Sequence, residues 1–61
     1  MTDLEAAKEI ASTMATGITD TGAGFIAAFD SQTTAQAYMS AISTLNVAAV
    51  RSGNSVTVTN P

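Results

Sequence analysis

The sequence contains no cysteine and no histidine, and only 11% of its 61 residues are charged. Without these two side chains, disulfides, the common metal centres and the usual catalytic triads cannot be built. Five acids and two bases give a net charge of −3, and we interpret Glu5 and Glu9, one helical turn apart, as surface charges. We therefore expect no catalytic residues, no metal and no cofactor, and we predict that the protein is not an enzyme.

Basic residues are also scarce, since Lys8 and Arg51 are the only two. Two cations cannot neutralise a run of phosphates, so nucleic acid and anionic membranes are unfavourable partners. No apolar run approaches the ~18 residues that suggest a membrane span. The first ten residues hold two Glu and a Lys where a signal peptide needs an apolar core. We therefore expect a cytoplasmic protein.

The first helix is predicted over about 3–16. Thr2 and Glu5 form a capping box at its start, and Gly17 is a natural C-cap. Its apolar face is made by residues spaced three and four apart: Leu4, Ala7, Ala11, Met14 and Ile18. Residues 19–24 then read as a flexible connector, because Gly22 and Gly24 lack the lysine or the following helix of a phosphate-binding loop.

A second amphipathic helix is predicted over about 32–45. Asp30 or Ser31 can cap its start, and Asn46 is a plausible left-handed residue after its end. Its apolar positions again follow the helical period: Ala35, Tyr38, Met39, Ile42 and Leu45.

Three short strands complete the pattern. Residues 25–29 are apolar on both faces, which suggests a strand covered on both sides or exposed to a partner. Residues 47–50 and 55–59 flank Ser52-Gly53-Asn54, a hairpin signal. The sequence thus predicts one α+β domain over 1–61, in the order α-β-α-β-β, without internal repeats. An N-terminal helix (1–18) precedes a β-α-β-β unit (25–58), and the helices pack on one face of a three-stranded, mainly antiparallel sheet.

The order of elements from Gly22 to Val58 resembles the second half of an RNA-recognition domain, which has a ferredoxin-like fold. The matching segments are Gly24-Phe25-Ile26, Phe29-Asp30-Ser31, Leu45-Asn46, Gly53-Asn54 and Val56-Thr57-Val58, with Ala35, Met39 and Ile42 between them. The resemblance implies a topology. It does not imply RNA binding, because Ala23 stands where that family has a stacking aromatic and Thr21 stands where it has a base.

Four residues are candidates for contact with another protein. Phe25 and Phe29 offer aromatic area on a strand, Tyr38 could leave its hydroxyl at an interface rim, and Arg51 could bind a carboxylate. Core positions for the three aromatics, and a solubilising role for Arg51, are the simpler interpretations. We expect a small non-catalytic inhibitor or adaptor, of the kind carried by phages and mobile elements. The alternative is a structural subunit of a homo-oligomeric assembly, such as a virion or shell component.

Self-association is expected because a chain this short buries only about 60% of the surface that its unfolded form exposes. It also has no disulfide, and no His or Cys to bind a stabilising metal. The two candidate contacts for a homodimer are the apolar strand 25–29 and the first helix, whose Ala7 and Ala11 would allow close approach.

Overall fold

The computed structural model describes residues 2–61, which form two helices and four strands. The elements are α1 (Asp3–Met14), β1 (Gly17–Asp20), β2 (Gly24–Ala28), α2 (Gln32–Ala41), β3 (Ala48–Ser52) and β4 (Ser55–Thr59). The α+β class is confirmed, but the prediction of three strands is wrong. All neighbouring strands are antiparallel, in the spatial order β1-β2-β4-β3.

The strand that sequence reasoning missed is β1. Residues 19–24 were expected to be a loop, yet β1 pairs with β2 along its whole length, from Gly17 opposite Ala28 to Asp20 opposite Phe25. This edge strand packs only one large apolar side chain, Ile18, against the core. It therefore lacks the alternating pattern that marks a half-buried strand.

The two glycines of this region have different structural roles. Gly22 has a φ of 86° and begins the turn between β1 and β2, which a residue with a side chain adopts poorly. Gly24 lies in β2, where a Cβ atom would come within 1.9 Å of the Val58 carbonyl oxygen. Gly24 is thus required by the close packing of β2 against β4.

Both helix starts follow the predicted capping pattern. The Thr2 hydroxyl accepts a hydrogen bond from the Glu5 N–H at 3.1 Å, and the Glu5 carboxylate accepts one from the Thr2 N–H at 3.0 Å. The Ser31 hydroxyl accepts from the Thr34 N–H. Ser31, rather than Asp30, is therefore the N-cap of α2.

Both helices end earlier than predicted. α1 stops at Met14, with Ala15 in an extended conformation as its C-cap, so Gly17 belongs to β1. α2 stops at Ala41, because the Ser43 N–H turns back to the Ser40 carbonyl in an i to i−3 bond. The left-handed conformation predicted for Asn46 is wrong, since no non-glycine residue within 2–61 has a positive φ.

The core lies between the sheet and the two helices. Strands β2 and β4 supply alternate side chains to it, and both helices supply the residues that face the sheet. Its buried members are Ala7, Ala11, Phe25, Ala27, Phe29, Ala35, Tyr38, Ile42, Val56 and Val58. The small side chains of Ala7 and Ala11 on α1 allow the helices and the sheet to approach closely.

The chain contains an internal repeat, contrary to the sequence prediction. Each half consists of a helix followed by a two-stranded hairpin, and an offset of 31 positions relates Gly22 to Gly53, the glycines that open the two turns. The same offset relates seven pairs of core-facing residues: Leu4 to Ala35, Ala7 to Tyr38, Ala11 to Ile42, Met14 to Leu45, Ile18 to Ala49, Phe25 to Val56 and Ala27 to Val58. Side-chain identity is low between the halves, which hid the repeat.

The pairing of β2 with β4 joins the two halves around their shared centre. Ile26 lies opposite Thr57, its equivalent at the 31-residue offset, so the pairing is unchanged when the halves are exchanged. The resulting order, α-β-β-α-β-β, differs from the β-α-β-β-α-β order of the ferredoxin-like fold. The observed order is the ferredoxin-like order with its first strand moved to the end. The resemblance to an RNA-recognition domain therefore holds for the elements from β2 to β3 and not for the order of the whole chain.

Candidate protein-interaction surface

Three of the four residues singled out in the sequence lie in the interior. Phe25 is 1% exposed, Phe29 is 5% exposed and Tyr38 is fully buried. The rings of Phe29 and Tyr38 pack with their centroids 5.2 Å apart. These side chains are brought together as core, and the folded protein does not offer them to a partner.

The hydroxyl of Tyr38 points inward rather than to a rim. It donates a hydrogen bond of 2.7 Å to the carbonyl oxygen of Ala7, on the other helix. Burial raises the pKa of Tyr38 to about 12, because the interior disfavours the charged phenolate. The role of this residue is therefore to join α2 to α1.

The fourth residue, Arg51, lies half-buried on the inner side of β3. Its Nη1 donates a hydrogen bond of 2.9 Å to the carbonyl oxygen of Gly53, so the side chain folds back over its own hairpin turn. Arg51 and Val56 are directly opposite in the β3–β4 pair. The guanidinium lies at the end of the sheet where this hairpin turns.

Charged side chains concentrate on α1 and the end of β1. Lys8 and Asp20 form an exposed ion pair with 2.7 Å between Nζ and Oδ1. Hydrogen bonds from the backbone and hydroxyl of Thr2 lower the pKa of Glu5. A shallow cleft beside these groups is lined by Leu4, Glu5, Lys8, Asp20, Gly22, Gly24 and Phe25. Its charged groups are already engaged with each other or with the helix cap, so the cleft offers no free charge for a ligand.

A metal centre has no residues to hold it in the described part of the chain. Within residues 2–61, no three acidic, His or Cys side chains come close enough together to ligate an ion. Neither helix there is long and apolar enough to cross a membrane.

The outer face of the sheet, turned away from both helices, is the clearest candidate for contact with another protein. We define it by the strand residues that point outward: Gly17, Thr19, Gly24, Ile26, Ala28, Ala48, Val50, Ser52, Ser55, Thr57 and Thr59. None of them is charged. The central row runs Thr19, Ile26, Thr57 and Val50 across the four strands, by the register of the sheet.

Two large apolar side chains stand exposed on this outer face. Ile26 is 36% exposed and Val50 is 65% exposed, and the strand register puts Thr57 between them. Neighbouring methyl groups come from alanine and threonine, so no lysine or glutamate stem screens the two side chains from water. The sequence predicted an apolar second face for residues 25–29, and Ile26 carries it. Val50 was not singled out, because its neighbours depend on the register of β3 and β4.

Comparison with protein-family models, with curated proteins and with solved structures found no match.

Proposed function

We propose that the protein is a non-catalytic binding protein that docks another protein on the outer face of its sheet. One observation carries this proposal. The outer face is an uncharged surface with Ile26 and Val50 exposed at its centre. Apolar centres depleted of charge are typical of the cores of protein interfaces. Such a surface suits an inhibitor or an adaptor. The polar rim of the interface would come from the partner.

The position of the charges supports the same surface. The acids of α1 lie behind the sheet, on the opposite side of the molecule from Ile26. A partner that approaches the outer face therefore avoids most of the net charge of −3. It desolvates hydroxyl groups, which costs less free energy than desolvating ions, and it buries methyl groups, which is favourable.

A charge-matched pair of variants tests the proposal. Ile26→Lys puts an ammonium at the centre of the outer face, and Gln36→Lys adds the same charge on an exposed position of α2. Each variant, after a melt shows that it is folded, is used to capture proteins from an extract of the organism that encodes the chain. We expect a specific protein bound by the wild type and by Gln36→Lys, and lost with Ile26→Lys.

The opposite result is equally informative. Capture that is the same for Ile26→Lys as for the wild type would place binding elsewhere. The absence of any specifically captured protein would favour the second candidate function, a structural subunit of a homo-oligomeric assembly. The open edge of β3 favours that candidate, because an unpaired strand can continue the sheet into another copy.

Light scattering separates the two candidates. A binding protein that waits for its partner is a monomer or dimer, whereas an assembly subunit forms a large ring or lattice. A phage or mobile-element origin and a cytoplasmic location remain predictions of the sequence.

A further inference from the structure

The edge strand β3 has the features of a self-pairing strand. We infer that two copies of the chain join β3 to β3 in an antiparallel pair centred on Val50, which makes one sheet of eight strands. The inference deepens the proposed function and rests on it in one respect, since the joined sheets present a single, doubled outer face to the partner.

The register of the β3–β4 hairpin shows which backbone groups are free. Ser52 and Ser55 flank a two-residue turn, so they exchange hydrogen bonds with each other. Because bonded and non-bonded pairs alternate along an antiparallel ladder, Val50 also bonds to β4. Ala49 and Arg51 consequently direct their N–H and C=O groups away from the sheet, toward the position of a fifth strand.

The opposite edge is less suited to pairing. β1 has four residues against five in β3, and it ends in Asp20, whose carboxylate is held by Lys8. Short, charged edges are a common protection against strand addition. β3 contains no acidic residue, so two copies of a chain with a net charge of −3 can meet there away from their acids.

The free groups of Ala49 and Arg51 restrict the pair to registers centred on Ala49, Val50 or Arg51. Centring it on Val50 places Ala49 opposite the partner's Arg51 and Arg51 opposite the partner's Ala49, and both pairs exchange backbone hydrogen bonds. Val50 then lies beside the partner's Val50 on the joined outer face, so each covers part of the other's exposed side chain. Centring on Arg51 would instead oppose two guanidinium groups, and like charges directly opposite are destabilising.

Area explains why a pair of chains is the better binding unit. Four strands about 4.8 Å apart and five residues at about 3.4 Å each cover roughly 320 Å², and eight strands cover roughly 640 Å². A standard interface buries ~800 Å² on each partner. Joining two chains therefore doubles the outer face that a single partner can cover. The β3 contact is itself small, so we expect a dissociation constant in the micromolar range or weaker.

Cysteine cross-linking tests the dimer directly, because the natural chain has no cysteine. In the proposed pair Val50 and the partner's Val50 form a non-hydrogen-bonded pair with Cα atoms about 4.5 Å apart, within the range of a disulfide. Thr57 lies beside Val50 on the same face but one strand inward. Its Cα would be about 14 Å from its equivalent, too far for a disulfide.

Under mild oxidation we expect Val50→Cys to become a covalent dimer and the matched Thr57→Cys to stay monomeric. Equal cross-linking of the two variants, or none, would overturn the inference. Mixing the Val50→Cys chain with a Thr19→Cys chain tests whether β3 pairs with β1 of another copy instead of with β3. Preferential cross-linking between these two different chains would show head-to-tail pairing and contradict the twofold pair.

Mass measurement keeps the test independent of the introduced cysteine. The measured mass of the wild type should rise with protein concentration from 6.1 kDa toward twice that value, while the mass of Val50→Lys should remain at 6.1 kDa. A wild type that stays at 6.1 kDa over a hundredfold concentration range would contradict the dimer. Ile26→Lys should still dimerise while losing its captured protein, so a failed dimer and a failed binding face give different results.

Discussion

The hydroxyl of Tyr38 donates a hydrogen bond of 2.7 Å to the carbonyl oxygen of Ala7, and these two residues occupy equivalent positions in the two halves of the chain. The bond therefore joins the two helices at the centre of the internal repeat. Below it, Ile26 and Thr57 form the equivalent central pair in the sheet. Contacts between equivalent residues thus join the two halves in the helix layer and in the sheet layer.

Removing that hydroxyl should destabilise the protein. Tyr38→Phe keeps the ring packed on Phe29 and removes one hydrogen bond to the Ala7 carbonyl, which still has its partner within α1, so we expect a loss of about 0.5–1.5 kcal/mol. Urea unfolding of the wild type and the variant measures the difference. Equal midpoints would show that the bond contributes nothing net.

Alkaline pH should destabilise the wild type through the same residue. The pKa of Tyr38 is about 12 in the folded protein and 10.0 as its ordinary value, so the unfolded chain loses the proton first. The contribution to stability is complete below pH 10 and is lost as pH rises through about 12. The slope of stability against pH in this window should be smaller in Tyr38→Phe. An unchanged slope would mean that other groups cause the loss of stability at alkaline pH.

Gly24 should tolerate no side chain. In Gly24→Ala the new Cβ would overlap the Val58 carbonyl oxygen, so β2 and β4 must separate. We expect a loss of several kcal/mol, among the larger effects of single substitutions, for which about 4 kcal/mol is already exceptional. Gly17→Ala is the matched control, because nothing lies within 4 Å of the position of its Cβ. Similar melting temperatures for the two variants would contradict the close packing at Gly24.

Ile42 and Ser43 test the buried side of the segment that follows α2. Ile42 is 2% exposed, and Ile42→Ala should cost about 2–4 kcal/mol through lost burial and the cavity left behind. Ser43 is exposed, with its hydroxyl bonded only to the Ser40 carbonyl. Ser43→Ala should therefore change stability little. Comparable losses in a denaturant melt would show that the buried face is wrongly assigned.

Local patterns in the sequence predicted most of the fold. The capping groups of Thr2, Glu5 and Ser31 marked both helix starts, and the 3.6-residue period identified the buried helix faces. The strand β1 escaped because Ile18 is its only large apolar residue, and pairing with β2 rather than its own pattern makes it a strand. Gly24 could not be interpreted without knowing that β2 and β4 are neighbours.

The candidate surface was predictable in part. Alternation in residues 25–29 indicated a second apolar face, and Ile26 lies there. The same alternation drew attention to Phe25 and Phe29, which turn inward. Val50 joins Ile26 only through the strand order β2-β4-β3, a long-range property that short patterns do not encode.

The most direct test of the outer face as a binding surface is the affinity of the captured protein, once purified, for the three forms of the chain. Titration calorimetry would compare the wild type, Ile26→Lys and the charge-matched Gln36→Lys. We expect Gln36→Lys to bind like the wild type and Ile26→Lys to bind at least about tenfold more weakly, a loss of about 1.4 kcal/mol or more. Equal dissociation constants for the two lysine variants would contradict the proposal.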